Sequence, residues 1–225
     1  MEEWRTILYP LGFLSAIAFG ARFIVQWFES ELSQKSVVHR SFWIFSLTGN
    51  ILLAIHSFIQ VQYHICIVQT CNAVISWRNL NLMQDKSKWL SFNAVIVLLA
   101  ATSTLTTAAF YFFQPDESWF RTPIAPWQSA PHADLSFFWH MLGTVAYLLF
   151  SSRFWLQWLI AEKEQKSELS LSFWWISLVG ALFSIVYFLH LGDLVNLIGP
   201  LVGLAPYIRN LMLMHKAKTA ANSYD

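Results

Sequence analysis

Charge is what this sequence has least of. Only 12% of its 225 residues are Asp, Glu, Lys or Arg, where a soluble domain carries about a quarter. The formal net charge is +1, so no strong field is present to recruit nucleic acid. Cysteine is nearly missing. Cys66 and Cys71 lie in one apolar segment, and five positions apart on a helix they point in different directions, which excludes an easy disulfide and leaves them as small apolar packers. No glycine-rich loop follows a candidate strand, so no nucleotide-binding catalytic domain is written here. Ser, His and Asp show no spacing that picks out a triad. His56, His64, His140 and His190 show no ligand spacing with a carboxylate. No catalytic residue, metal or cofactor is expected.

Apolar and aromatic residues fill the space that charge leaves. They reach 56% and 17%, with 12 Trp. A spanning helix needs about 20 mostly apolar residues, and seven segments qualify, near 7–28, 41–60, 62–82, 89–113, 136–160, 172–191 and 193–214. Gly192-Asp193 marks a turn between the last two. The first run is too long for a signal-peptide core and follows Glu2 and Glu3, so it is expected to remain as a helix. Seven spans gather Lys35, Arg40, Lys86, Lys88, Lys163, Lys166, Lys216 and Lys218 on one side and leave Arg5 and Arg121 on the other. Positive loops mark the cytoplasm, which puts the N-terminus outside the inner membrane and the C-terminus inside. The external stretch Gln114–Asp134 carries Pro115, Pro123, Pro126 and Pro131 with Trp119 and Trp127, and is read as a stiff loop at the interface.

The chain repeats itself. Shifted by 131 positions (142 − 11), it matches without a gap. Arg22-Phe23 and Gln26-Trp27 pair with Arg153-Phe154 and Gln157-Trp158. Gln34-Lys35-Ser36 pairs with Gln165-Lys166-Ser167. Ser41-Phe42-Trp43, Ser46 and Gly49 pair with Ser172-Phe173-Trp174, Ser177 and Gly180. Arg78-Asn79-Leu80 pairs with Arg209-Asn210-Leu211. The polar matches cannot come from shared apolar composition. The expectation is an all-α, polytopic transmembrane bundle of seven helices in a 3+1+3 plan: a first three-helix repeat over 7–83, a linker helix and external loop over 84–135, and a second repeat over 136–215. The helix at 89–113 has no repeat partner and makes the two copies parallel, as in SWEET-type sugar transporters.

These elements (R-F-x-x-Q-W, K-x-S, F-W-x-x-S-x-x-G and R-N-L, each present twice) resemble the lipid-A-disaccharide synthase N-terminal domain family, distantly similar to PQ-loop proteins. His39 and Ser170 stand where that family tends to have proline. Some of its members, notably in chlamydia-like bacteria, are fused to a cytoplasmic glycosyltransferase. The resemblance implies a role in lipid A or related glycolipid assembly. Three functions are consistent with it: a membrane module that binds, presents or moves an anionic lipid-linked sugar; an anchor or subunit for a glycosyltransferase; and a SWEET-like carrier of small sugars, with an uncharged midplane lining. Membrane lipids, an anionic glycolipid and a cytoplasmic glycosyltransferase are the partners it suggests, nucleic acid is not, and an oligomer is compatible with it.

Arg22, Arg78, Arg153 and Arg209 are the sharpest chemical feature. Each lies within about two turns of an expected cytoplasmic helix end. Gln26 and Gln157 share a helix face with Arg22 and Arg153, four positions on, and Asn79 and Asn210 adjoin the other two. Guanidinium suits phosphate, because its planar fork binds two oxygens. These eight residues are the expected binding site for an anionic head group, with Trp43, Trp174 and Asn72 as further lining. The competing expectation is anchoring, each arginine pairing with Glu29, Glu31, Glu162 or a phospholipid head. Phe42-Trp43 and Phe173-Trp174-Trp175 are expected in the interfacial aromatic belt. Asn50 and Asn72 are expected to bond neighbouring helices, and Gly49, Gly143, Gly180 and Gly203 to permit close helix contact.

Overall fold

A computed structural model describes residues 2–115, 118, 119, 136–192 and 194–222. Among these, every regular element is helical: α1 (Glu2–Ile7), α2 (Leu11–Ser33), α3 (Arg40–Ile59), α4 (Tyr63–Leu82), a short 3-10 turn (Lys86–Lys88), α5 (Phe92–Phe113), α6 (Phe137–Glu164), α7 (Leu171–Leu191) and α8 (Leu194–Asn222). The protein is all-α, and α2 to α8 are its seven long helices. Five stretches are long and apolar enough to cross a membrane: Glu3–Ser33, Arg40–Ile59, Phe92–Phe113, Leu171–Leu191 and Leu197–Thr219. Polar residues set α4 and α6 apart, and these are buried: Asn72, Arg78, Asn79 and Asn81 on α4, Arg153 and Gln157 on α6.

The helices are polar inside and apolar outside. On α2, Ser15, Arg22, Gln26 and Ser30 are buried, while Ile17, Ile24, Phe28 and Leu32 are exposed. A helix in water buries the opposite stripe. In hydrocarbon the polar groups must turn inward to find partners. This is a membrane protein.

The ends of α2 and α6 show why the repeat is written as it is. Each closes on a glutamine in the left-handed region, Gln34 (φ 52) and Gln165 (φ 56). Glycine usually holds such a place. Here each glutamine side chain donates to the carbonyl of Glu31 or Glu162 at 2.8 Å. Trp27 and Trp158 donate to the carboxylates of the same two residues at 3.2 and 2.9 Å. Every member of the first set lies 131 residues before its counterpart. These caps carry the helices past the expected ends, to Ser33 and Glu164. Arg22 and Arg153 each therefore lie 11 residues from the end (33 − 22 and 164 − 153), about 16 Å along the axis. That is three turns, deeper than the two expected from hydropathy.

The chain forms two compact units, residues 1–19 with 43–131 and residues 20–42 with 132–225. In unit 1, Phe110 packs edge-on against Phe58 and Tyr63, at 5.1 and 5.2 Å between ring centres, and against Trp119 at 5.7 Å. Hydroxyls tie α4 to α5: Tyr63 to Thr107 at 2.8 Å and Thr106 to Thr70 at 3.3 Å. Asn50 donates to Ser76 at 3.1 Å, an amide joining α3 and α4 as expected. Arg5 is a buried residue of α1, not a loop charge. It donates to the carbonyl of Ile59 at 3.3 Å, and Gln60 donates to the carbonyl of Arg5 at 2.8 Å. Cys66 and Cys71 are free and buried.

In unit 2, α7 packs on α6 and α8. A Cβ on Gly143 would lie 2.7 Å from the Tyr187 ring, and one on Gly180 3.3 Å from Leu149. In unit 1 a Cβ on Gly49 would meet Phe19 at 2.6 Å. These three glycines permit close helix contact. Gly203 does not: the atoms nearest its missing Cβ, at 2.8 Å, belong to Tyr207 one turn along the same helix. Gly192 (φ 67) caps α7, so the expected turn begins there, while Asp193 lies outside the described residues. Most of the proline-rich stretch lies outside them too, including Arg121, Pro123, Pro126, Trp127 and Pro131.

Candidate functional site

The site is built in unit 2, where α2, α6 and α8 bring expected site residues together and α7 adds aromatic rings. Phe42 and Phe173 are fully buried, as are Trp43 and Trp174. Only Trp175, 52% exposed, keeps a belt-like position. The aromatic-belt reading is therefore corrected for four of its five residues. Phe42 and Phe173 turn their rings toward Arg22 and Arg153, each 5.7 Å from the guanidinium, while Trp43 is buried in unit 1.

Those arginines are Arg22 and Arg153, 4% and 5% exposed. The Arg22 guanidinium lies over Phe23 at 4.6 Å and over Phe154 at 4.8 Å. Arg153 lies over Phe150 at 4.4 Å and over the same Phe154 and Phe23 at 5.0 and 5.6 Å. Two like charges thus share two ring faces in the buried interior. Each cation–π contact contributes about 0.5–2 kcal/mol, whereas burying an isolated charge costs several kcal/mol. The Nη1 of Arg153 donates to the hydroxyls of Ser177 and Tyr207, both at 3.2 Å. Its Nε has no hydrogen-bond partner, nor does the indole nitrogen of Trp174.

Arg209 is placed differently. Its Nε and Nη2 embrace both carboxylate oxygens of Glu31, the Nη2 contact being 2.8 Å. This is the pairing expected of an anchoring arginine. Both side chains are one-third exposed, so solvent screens the pair and it contributes little to stability. Next to it the amides of Gln26 and Asn210 bond each other in both directions, at 2.9 and 3.1 Å. Gln26 also donates to Ser30 and to the carbonyl of Val37, and Asn210 to the carbonyl of Pro206. Ser36 donates to Asn210 at 2.7 Å. Both amides are fully buried, and their hydrogen-bonding capacity is filled within the protein. On the second repeat, Gln157 donates to the carbonyl of Glu168 at 3.2 Å, matching Gln26 and Val37.

Arg78 and Asn79 belong to unit 1. Arg78 donates to Asn81 at 2.6 Å, and Asn81 holds the carbonyl of Lys88 and the amide of Leu90, tying the end of α4 to the start of α5. Asn79 donates back to the carbonyl of Ile75 at 3.0 Å. Asn72 is buried, and its side-chain oxygen has no hydrogen-bond partner. Tyr207, Ser177, Ser30 and Asn81 are not among the site residues expected from sequence. Ser177 sits inside a repeated motif and could have been found there. Tyr207 could not, because Ser76 holds the matching place in the first repeat.

Fold and site define a helical membrane protein with buried arginines and a doubled sequence motif. The family described as Lipid A Biosynthesis N-terminal domain matches residues 11–81 and again 142–212, and the chain belongs to it. Among its relatives are proteins called lipid-A-disaccharide synthase. That of Chlamydia felis is 36% identical over 213 residues, 93% of this chain and 33% of the relative. That of Chlamydia pneumoniae is 36% identical over 219 residues, 97% and 35%. That of Chlamydia trachomatis serovar D is 35% identical over 209 residues, 92% and 34%. The chain spans about a third of the length of these curated relatives. No solved structure matches it. It is a membrane module related to lipid A biosynthesis.

Proposed function

We propose that this module binds and presents, or moves, an anionic lipid-linked sugar during lipid A or envelope-glycolipid assembly in the bacterial inner membrane. The observation that carries this reading is the buried pair Arg22 and Arg153 on shared phenylalanine faces. In this reading residues 7–83 and 136–215 are two copies of one unit joined by 84–135. Within unit 2 the head-group residues are Arg22, Gln26, Arg153, Gln157, Arg209 and Asn210, with Trp174 beside them; Arg78 and Asn79, with Trp43 and Asn72, are the corresponding candidates within unit 1. Cells deprived of the chain are expected to show an altered lipid A or envelope-glycolipid profile by mass spectrometry. Wild type restores it, and a chain carrying both Arg22→Gln and Arg153→Gln does not. An unchanged profile in the deprived cells would count against the role.

A second reading is supported by the relatives' names and their threefold length: the module anchors a lipid-A-disaccharide synthase in the same or a neighbouring chain. Crosslinking that captures such a glycosyltransferase, with no glycolipid retained on the module, favours the anchor. Both readings place the N-terminus in the periplasm and the C-terminus in the cytoplasm. Alkaline phosphatase fused after Asp225 should be inactive and a fluorescent protein there bright. The reverse pattern contradicts the orientation.

A further inference from the structure

We infer that Arg153, Trp174 and Tyr207 form a phosphate-binding subsite inside unit 2, with Arg22 adding a second positive charge. The inference rests on the glycolipid reading above and narrows it to one chemical group on one set of atoms.

Two donors in this cluster are more than nine-tenths buried and have no hydrogen-bond partner, the Nε of Arg153 and the indole nitrogen of Trp174. Tyr207 links them. Its hydroxyl accepts from Arg153 at 3.2 Å, and its ring lies 6.1 Å from that of Trp174. Phe173 lies against both, 5.1 Å from Trp174 between ring centres and 5.7 Å from the Arg153 guanidinium. A buried donor without a partner costs about 1–3 kcal/mol, more when charged, and two in one cluster point to a missing acceptor. That acceptor is anionic, because the hydrogen bonds of Arg153 go to the neutral hydroxyls of Ser177 and Tyr207 and Arg22 shares its rings. It carries several oxygens, because the orphaned donors sit on separate side chains. A phosphate group meets both conditions, and a guanidinium binds two of its oxygens at once.

The subsite lies where α8 can give way. Pro200 and Pro206 lie within that helix. Neither has the N–H that would bond the carbonyl four residues earlier, those of Asn196 and Val202. Tyr207 follows Pro206 directly, and Gly203 leaves room for its ring. The first repeat has Gln69, Asn72, Ile75 and Ser76 at the matching places. The give and the tyrosine therefore belong to the second repeat alone.

The phosphate could be free or borne by a lipid, and one experiment separates the two. The full chain is placed in phosphatidylcholine nanodiscs, and its binding of radiolabelled phosphatidic acid and of radiolabelled inorganic phosphate is measured. Saturable binding of at least one probe is expected. Displacement of the lipid by inorganic phosphate means that the group alone suffices, and its absence means that the lipid chain is needed. Arg153→Gln should weaken binding about tenfold or more. Arg153→Lys, Tyr207→Phe and Trp174→Phe keep charge or shape and should each weaken it several-fold. Binding of neither probe by folded wild type, or equal affinity in wild type, Arg153→Gln and Tyr207→Phe, overturns the subsite. If an anionic glycolipid nonetheless co-purifies with wild type, the broader reading stands and only the phosphate assignment falls.

Discussion

Asn210→Ala should lower the stability of the folded protein by about 3 kcal/mol, measured as reversible unfolding in mixed micelles. Asn210 accepts from Gln26 and Ser36 and donates to Gln26 and Pro206, at zero exposure. Alanine removes all of these at once. Gln26 keeps its bonds to Ser30 and Val37 but its carbonyl loses its donor, and the Ser36 hydroxyl loses its acceptor. Each orphaned group costs about 1–3 kcal/mol, and both amides are fully buried. The loss should exceed that of Arg209→Gln, because the ion pair with Glu31 is one-third exposed and screened by solvent. Gln26→Leu and Asn210→Leu made together should cost clearly less than the sum of the two single changes, by about 1 kcal/mol or more. Additivity within about 0.3–0.5 kcal/mol would mean that the two amides do not act as a pair.

The same residues show what could be read from the sequence. The seven long helices follow from apolar run length. Gln34 and Gln165 mark helix ends that hydropathy missed, because the αL cap and its side-chain bond extend α2 and α6 through Glu31 and Glu162. The four-residue spacing put Arg22 and Gln26 on one face, and both are buried there. What spacing could not tell is which helix that face meets. Gln26 of the first repeat is satisfied by Asn210 of the second, an arrangement set by tertiary packing between segments 184 positions apart (210 − 26). Residue type and spacing name eight candidate side chains, with anchoring as the alternative for the four arginines. The hydrogen bonds separate filled amides, an ion-paired Arg209 and a buried arginine pair, which are physically distinct situations. Trp43 and Trp174 lie inside rather than at the lipid interface for a related reason. Aromatics at helix starts usually mark the lipid interface, but these two follow Phe42 and Phe173, and the inward stripe of α3 and α7 takes both neighbours.

The second large effect concerns the ligand. Arg22→Gln keeps hydrogen-bonding capacity and removes the charge and the fork. It should leave a folded protein, since Phe23, Phe42 and Phe154 still pack around the shortened side chain. It should also lose anionic lipid, because a charge-assisted contact to phosphate or carboxylate is worth about 1.5–3 kcal/mol, a factor of about ten or more. Arg22→Lys keeps the charge without the fork and should recover only part of that loss. If the arginine served as an anchor alone, the change would alter insertion or yield and leave the bound lipid of the folded fraction untouched. Native mass spectrometry of folded wild type and Arg22→Gln, released from the same membranes, measures this directly. An anionic glycolipid enriched on wild type above its share of the membrane, and reduced about tenfold on Arg22→Gln, is the expected result; equal occupancy in the two proteins would contradict it.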